Sequence, residues 1–588
     1  MRSFFKLVFT SCLGTILAIL FISLVFMIIG VVSGSGKNDI QNNSVLLLDF
    51  DGLFPEKTNN VEQNNQFSFD RPDALGVFEA IELIKHAATD ERISHVVLKG
   101  DQVRLGAVNL NQFADAMEYF AENSDTPIWS YGDFYTQGGY LLASETDSIF
   151  LNPEGGVDFK GFGIMVAFGK DLLDKLGIKM NVFYAGEFKS SAEIFYRNDM
   201  SANSKLQKRE YLSELHSNFI GRISENRNIS ISDLNNAINN YTFSSADSTL
   251  AYKATDEILQ WHEFENKLRN RLGIKRGKKI NYMSLNEYDR KTTISKKNSS
   301  KNRIAVVFAE GEIQYGNENN GLINEKVYHE IFDKIRRDKK VKAVVLRVNS
   351  PGGSSFTSEA ILQEIKDLQA SGMPVIASFG NYAASGGYYI SCSADTIVAD
   401  ENTLTGSIGA FSVFPDASKL FNEKLGVHFD TVKTGAYATS FNPVLKMSEK
   451  DKQFIDRTNK RIYNTFLGRV AEGRGMSFDE VEKVAKGRVW TGKKAQDLNL
   501  VDVIGGLETA IAIAAEKAEL QDYKLREFPD IKTPVWVKYL ELMNQEVSID
   551  LPYSSSKLNK EFLRLQSKLE YYTEHKSPLV IMPIEVQF

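Results

Sequence analysis

The chain repeats itself, and that constrains its fold more than any other feature. HVVLKG at 95–100 matches AVVLRV at 343–348, a shift of 248 residues. QGGYLLASETDSIFLNP from Gln137 matches SGGYYISCSADTIVAD from Ser385, again at 248, and LGIKMNVFYAGEFKS from Leu176 matches LGVHFDTVKTGAYAT from Leu425 at 249. Collinear self-similarity of this kind predicts two copies of one fold. The polar, basic stretch DRKTTISKKNSSKNR at 289–303 reads as the connection between them. The expected units are residues 45–290, residues 303–520 and a tail, 521–588. LNKEFLRLQSKLEYYTEHK at 558–576 makes the tail partly helical, suited to covering an edge or an interface.

Within each copy, short apolar runs alternate with helical patterns. In the second, IAVVFAEGEI (304–313) and VKAVVLRV (341–348) read as buried strands. A helix follows SPGGSS, with Ile361, Ile365 and Leu368 on one face and a stop at Gly372 and Pro374. PVIASFG is the next strand, and 449–473 and 506–518 are amphipathic helices. Strand–helix–strand alternation predicts an α/β fold with largely parallel sheets.

From Leu7 to Val32 no residue is charged. As a helix that run is about 39 Å long, against a hydrocarbon core of about 30 Å. The apolar core of a cleaved signal peptide is only about 7–15 residues, so residues 1–36 are expected to be an uncleaved anchor. A long cleaved leader is the competing reading. Arg2 and Lys6 precede the run, and only Lys37 follows before Lys57. The positive-inside rule therefore leaves the N-terminus in the cytoplasm and the body outside. A net charge of -6 supplies no basic field for nucleic acid. Cys12 lies in the apolar run and Cys392 deep in the chain, so a disulfide between them is not expected.

Two glycine-rich turns carry candidate chemistry. Asn349-Ser350-Pro351-Gly352-Gly353-Ser354 could turn backbone amides toward an oxyanion, or could simply be a strand-to-helix turn. In Ala384-Ser385-Gly386-Gly387-Tyr388, Ser385 follows a strand at a helix start. That position suits an exposed nucleophile, although a serine before two glycines is, taken alone, more often a plain helix cap. A serine nucleophile needs a base. None of His86, His95, His216, His262, His329, His428 and His575 sits in a catalytic pattern, whereas a Ser-Lys pair is a known variant of the triad. The first copy has Gln137 in place of Ser385, and Val103-Arg104-Leu105 in place of Pro351-Gly352-Gly353. Conversely it has Lys189 where the second copy has Ala438. Each copy holds what the other lacks, which predicts one composite site. The bland alternative is a surface lysine.

A general base at position 189 must be neutral. At pH 7 an ordinary lysine is about 3.4 units below its pKa of about 10.4, or roughly 4.6 kcal/mol, a gap that burial can close. Phe188, Ile194 and Phe195 suit burial; Glu187 and Glu193 would oppose the shift if they came close.

SPGGS (350–354), ASGGYY (384–389), TGSIG (405–409) and GEFKSSAEIFYRNDMS (186–201) resemble the signature segments of the signal peptide peptidase A family in its long, two-repeat form. The resemblance runs from about residue 45 to about 520. It implies two tandem crotonase/Clp-protease-like α/β units behind a transmembrane anchor, and a serine protease with Ser385 as nucleophile and Lys189 as general base. It further implies that Ser407 orients the lysine, that Gly353 and Gly352 supply an oxyanion amide with Gly386 in support, and that no metal or organic cofactor is used. A homotetramer on the outer face of a bacterial inner membrane, cutting signal-peptide remnants and other unfolded apolar peptides, completes the expectation. A non-catalytic peptide-binding scaffold fits less well, because Ser385 and Lys189 are both intact. A crotonase-type acyl-CoA enzyme fits less well again, because CoA is cytoplasmic.

Overall fold

The computed structural model describes residues 40–52, 54–60, 74–275, 277–292, 300–316 and 323–530, the isolated position 14, and the backbone of 579–581. The first copy contributes strands β1 (Ser44–Asp49), β2 (Ile93–Lys99), β3 (Ile128–Gly132), β4 (Ser148–Leu151), β5 (Lys179–Ala185), β6 (Glu257–Ile258) and β7 (Tyr282–Ser284). All but β5 form one parallel sheet, in the order β6-β4-β3-β2-β1-β7.

The second copy contributes β8 (Arg303–Glu310), β9 (Ile313–Gln314), β10 (Ile323–Asn324), β11 (Val341–Ser350), β12 (Gly352–Ser354), β13 (Val375–Ala384), β14 (Thr396–Ala399), β15 (Leu404–Gly406), β16 (Ala410–Asp416), β17 (Val489–Thr491), β18 (Val503–Ile504) and β19 (Lys524–Phe528). Its main sheet runs β17-β15-β13-β11-β8-β19, with β14 on β13 and β18 on β14. Pairings are parallel except β15 with β17. β8 shows why its sequence is apolar without alternation. Ala305, Val307 and Ala309 enter one core, while Ile304, Val306 and Phe308 enter another, closed by the helix Leu507–Lys517. A parallel strand buried on both faces reads as a continuous apolar run.

The repeat is legible in matched hydrogen bonds. Tyr140 donates its hydroxyl to Ala254 O at 2.9 Å, and Tyr388 donates to Leu500 O at 2.9 Å. The Asp147 carboxylate accepts from the Ile128 N–H and the Asp395 carboxylate from the Val375 N–H, both at 2.7 Å.

The third sheet is the element that sequence periodicity does not reveal. Its order is β10-β9-β12-β20-β16-β5, where β20 is Leu579–Ile581. β5 leaves its own copy and pairs antiparallel with β16, from Ala185↔Ala410 to Lys179↔Asp416. The two copies are thereby joined by a continuous ladder just before Lys189. Two further departures concern the ends. β19 carries the second sheet past residue 520, because Lys524–Phe528 pairs with Arg303–Val307 of β8. Apart from Gly14, the anchor run lies outside the described residues, as does the helical pattern at 558–576; among those described, no helix is long and apolar enough to cross a membrane.

Candidate active site

Ser385 stands at the tip of β13. That strand forks: Ile376–Ser378 pair with β14, and Tyr382–Ala384 with β15. The helix Gly386–Ser391 begins at once, so the chain must reverse at one residue. Ser385 accordingly takes φ 57° and ψ -114°, a backbone state costing of order 1–3 kcal/mol outside glycine. It is held there by its N–H donating to Gly406 O and by Tyr389 N–H donating to Ser385 O, both at 2.8 Å. The expected exposed nucleophile is instead fully buried, at 0%.

Lys189 arrives from the first copy, four residues past the end of β5. The loop that carries it lies directly against residues 486–487. Gly487, at φ 76°, has no room for a side chain, since a Cβ there would come within 2.8 Å of the Lys189 backbone N and Cβ. Phe188 N–H donates to Lys486 O at 2.9 Å. Gln207 completes the join: Nε2 donates to Phe188 O at 2.9 Å and Ser190 Oγ at 3.2 Å, and Oε1 accepts from Val489 N–H at 3.3 Å. Sequence reasoning missed Gln207, because a glutamine on a long polar helix carries no signal of its own.

These supports bring Lys189 Nζ to 2.6 Å from Ser385 Oγ, within a single chain. The same nitrogen donates to Ser407 O and Ser407 Oγ, each at 2.8 Å. Lys189 is 4% exposed, and burial alone pushes its pKa well below the ordinary lysine value. The two glutamates that could have opposed this are turned elsewhere. Glu187 faces Lys486 Nζ at 3.3 Å, and Glu193 accepts from Ser201 N–H at 3.0 Å. Ser407, at φ 51°, is itself held by its N–H donating to Arg488 O at 2.6 Å. Among the described residues no histidine bonds to either member of the pair; His86 meets Tyr288, and His216 meets Asn235.

The glycine turn lies alongside. A Cβ on Gly386 would sit 3.1 Å from both Gly353 N and Gly352 Cα, and a Cβ on Gly353 would sit 2.0 Å from Ile313 O. Backbone approach this close is what glycine permits. Gly352 N–H donates to Ser350 Oγ at 3.2 Å. In the first copy the equivalent position is spent structurally. Gln137 Oε1 accepts from Lys160 N–H at 3.0 Å and Gly161 N–H at 2.7 Å, and Val103 and Leu105 are buried. Ala438, the counterpart of Lys189, lies in an exposed segment.

Family comparison agrees with this two-copy geometry. The chain matches peptidase family S49 twice, at residues 121–275 and 367–521. It belongs to that family. One S49 match falls in each copy, so the sequence repeat is a family-level duplication. Protease 4 of Salmonella typhi is 33% identical over 536 residues, covering 88% of this chain and 86% of its own. Protease 4 of Haemophilus influenzae is 33% identical over 548 residues, with 88% and 87% covered. A putative signal peptide peptidase SppA of Enterococcus faecium is 37% identical over 239 residues, 40% of this chain and 69% of its own. This S49 chain is a serine protease of the signal peptide peptidase type.

Proposed function

We propose that the protein is a membrane-anchored endopeptidase working through a Ser385–Lys189 dyad on cleaved signal peptides and other apolar peptides. The observation that carries this is a buried amine 2.6 Å from a serine hydroxyl. Neutral Lys189 takes the Ser385 proton as Oγ attacks the peptide carbonyl, and the oxyanion is held by the Gly353 amide. The lysine ammonium gives its proton to the leaving amine as the C–N bond breaks. Water, deprotonated by Lys189, then attacks the acyl ester and restores Ser385. Ser407 offers two acceptors to Nζ at 2.8 Å, so it aims the amine and steadies its charged form. Lys189 comes from one copy and Ser385 from the other, which accounts for the retention of both.

The substrate reading draws on the name of the Enterococcus faecium relative and on the apolar run Leu7–Val32, which would hold the body against a bilayer where apolar peptides collect. Between residues 425 and 437, interspersed with polar positions, Leu425, Val427, Phe429, Val432 and Tyr437 are exposed. Exposed apolar side chains suit association, and homotetramer contacts are assigned here to that segment. The test of the dyad is intact-mass spectrometry after a fluorophosphonate probe. One adduct is expected on the wild type and none on Ser385→Ala or Lys189→Ala, and Lys189→Arg should not restore labelling, because arginine does not deprotonate. Labelling at Ser385 that survives Lys189→Ala would remove the lysine from the mechanism.

A further inference from the structure

The first half of the helix Ala202–Arg227 sorts its charges by face. Its two acids are engaged at the seam with the second copy, where Glu210 accepts from Arg488 and Glu214 from Thr491. Its cations border a cavity of about 380 Å³. Lys205, Lys208, Arg209, Leu212 and His216 line that cavity at the three- and four-residue spacing of one helix face. Phe162, Ile164 and Met200 add apolar surface to the lining. Phe162, Ile164 and Leu212 also pack on the apolar cluster that contains Ala384, so the wall is backed by fixed structure. The volume falls within the range of small-molecule sites, about 300–1,000 Å³.

The positive charge here is poorly matched by acids. Lys205 lies 3.6 Å from Asp199, which already takes Arg197 at 2.9 Å. Arg209 is exposed and has no ion pair with another described residue. Lys208 is 6% exposed, and its Nζ donates to a neutral group, Ser204 Oγ, at 2.7 Å. Burial pushes the Lys208 pKa down to about 8, with Glu193 opposing the shift. Glu193 is itself occupied, accepting from Ser201 N–H at 3.0 Å. A buried ammonium without a carboxylate in contact is costly. An anion in the cavity would favour the charged form and offset that cost, and a carboxylate makes strong, short bonds to amine and guanidinium donors.

We propose that this cavity binds a carboxylate-headed apolar chain, with its head on Lys208 and Arg209 and its body along Phe162, Ile164 and Leu212. Two sources share this chemistry. One is a fatty acid drawn from a bilayer. The other is the N-terminal fragment of a cut apolar peptide, whose new end is a carboxylate. The second source rests on the protease reading; the cavity and its charges do not.

The experiment uses the full chain carrying Ser385→Ala in lipid nanodiscs, so that no peptide is cut, and titrates it with octanoate. The comparison is the same chain with Lys208→Met and Arg209→Gln. Losing charge-assisted bonds to the head should weaken octanoate at least about tenfold, while octanol, which has no charge, should bind both chains alike. Arg209→Gln alone, at an exposed position, should shift octanoate affinity in the same direction, which keeps the test intact if the double variant folds poorly. Octanoate bearing a terminal diazirine should crosslink within residues 162–164 or 200–216. Equal octanoate affinity in the parent and the variants, or binding to neither, overturns the proposal. A synthetic apolar tetrapeptide with a free carboxylate, set against its C-terminal amide, separates the sources. A tenfold loss for the free acid but not the amide assigns the cavity to cleavage products; a loss confined to octanoate assigns it to fatty acids. Fluorophosphonate labelling of the parent enzyme is read separately. Labelling with equal octanoate affinities keeps the protease and discards the cavity, while a tenfold difference without labelling does the reverse.

Discussion

In the proposed dyad the chemistry turns on Lys189, whose burial would help catalysis and costs stability. Catalysis needs the neutral amine, so kcat/KM should rise with pH through the lysine's lowered pKa and level off well below 10.4. A profile still climbing at pH 10 would mean that the lysine is not desolvated in solution. Stability rises over the same range, for a different reason. The unfolded chain keeps this lysine protonated up to about 10.4, while the folded chain releases the proton at lower pH, so this group destabilises the fold most at low pH and the penalty fades as pH rises toward 10. Lys189→Met should therefore be inactive yet raise Tm at pH 7, by roughly 2–4 °C for each kcal/mol of penalty removed. The gain should shrink in a matched scan near pH 10. In the proposed mechanism Ser407 acts through the lysine, to which it offers two acceptors. Ser407→Ala removes one hydrogen bond worth about 0.5–1.5 kcal/mol, so kcat should fall about tenfold with KM unchanged, and the lysine limb of the pH profile should move. A rise in KM alone would assign Ser407 to substrate binding.

Among the elements, the loop 186–192 is only as good a base carrier as its contact with 486–489 allows. Gly487→Ala would drive a methyl to within 2.8 Å of Lys189 N and Cβ at a position already at φ 76°. The loop must retreat, and a displacement near 1 Å costs about a hundredfold in rate. The expected result is a folded enzyme with kcat down about a hundredfold, measured beside an unchanged circular dichroism spectrum. Full activity would mean that the loop adapts freely. This contact also marks the limit of what sequence can show. Strands such as Val341–Ser350 and Val375–Ala384 were legible because a strand buried on both faces leaves an unbroken apolar run. Helix Glu449–Arg474 was legible through its period. Ser385, Lys189 and the glycine pair stood out because the repeat set intact motifs beside degenerate ones, and Ser407 only through the family resemblance. Gln207, the β5–β16 ladder and β20 were not, since each depends on residues hundreds of positions apart or on two- to seven-residue strands with no pattern of their own.

At the scale of the whole molecule, a site assembled from two copies is only as durable as the seam between them. One part of that seam is a buried ion pair. Residues 54–60 of the first copy lie over β8 and β11, where Arg347 Nε donates to Glu56 Oε2 at 2.8 Å and Nη1 donates to Ser378 Oγ at 3.0 Å and Phe379 O at 2.6 Å. Arg347 is 1% exposed and Glu56 3%. Glu310 sits beside them, accepting from Glu56 N–H at 3.1 Å and Asn60 Nδ2 at 2.9 Å, and burial followed by the nearby Glu56 charge pushes it up to about 7. Buried pairs of this kind contribute little net stability, because desolvation offsets their attraction, yet removing one partner strands the other charge. Glu56→Ala should therefore cost about 3–5 kcal/mol, whereas Glu56→Met with Arg347→Met should lie near the wild type or above it. Neither residue touches the dyad, so kcat measured well below each variant's Tm should be that of the wild type. The activity of Glu56→Ala should collapse at a lower temperature, together with its unfolding transition. If the double variant is as unstable as the single one, the pair is a net stabiliser of the seam. If kcat falls at low temperature too, the seam positions Lys189 as well as holding the copies together.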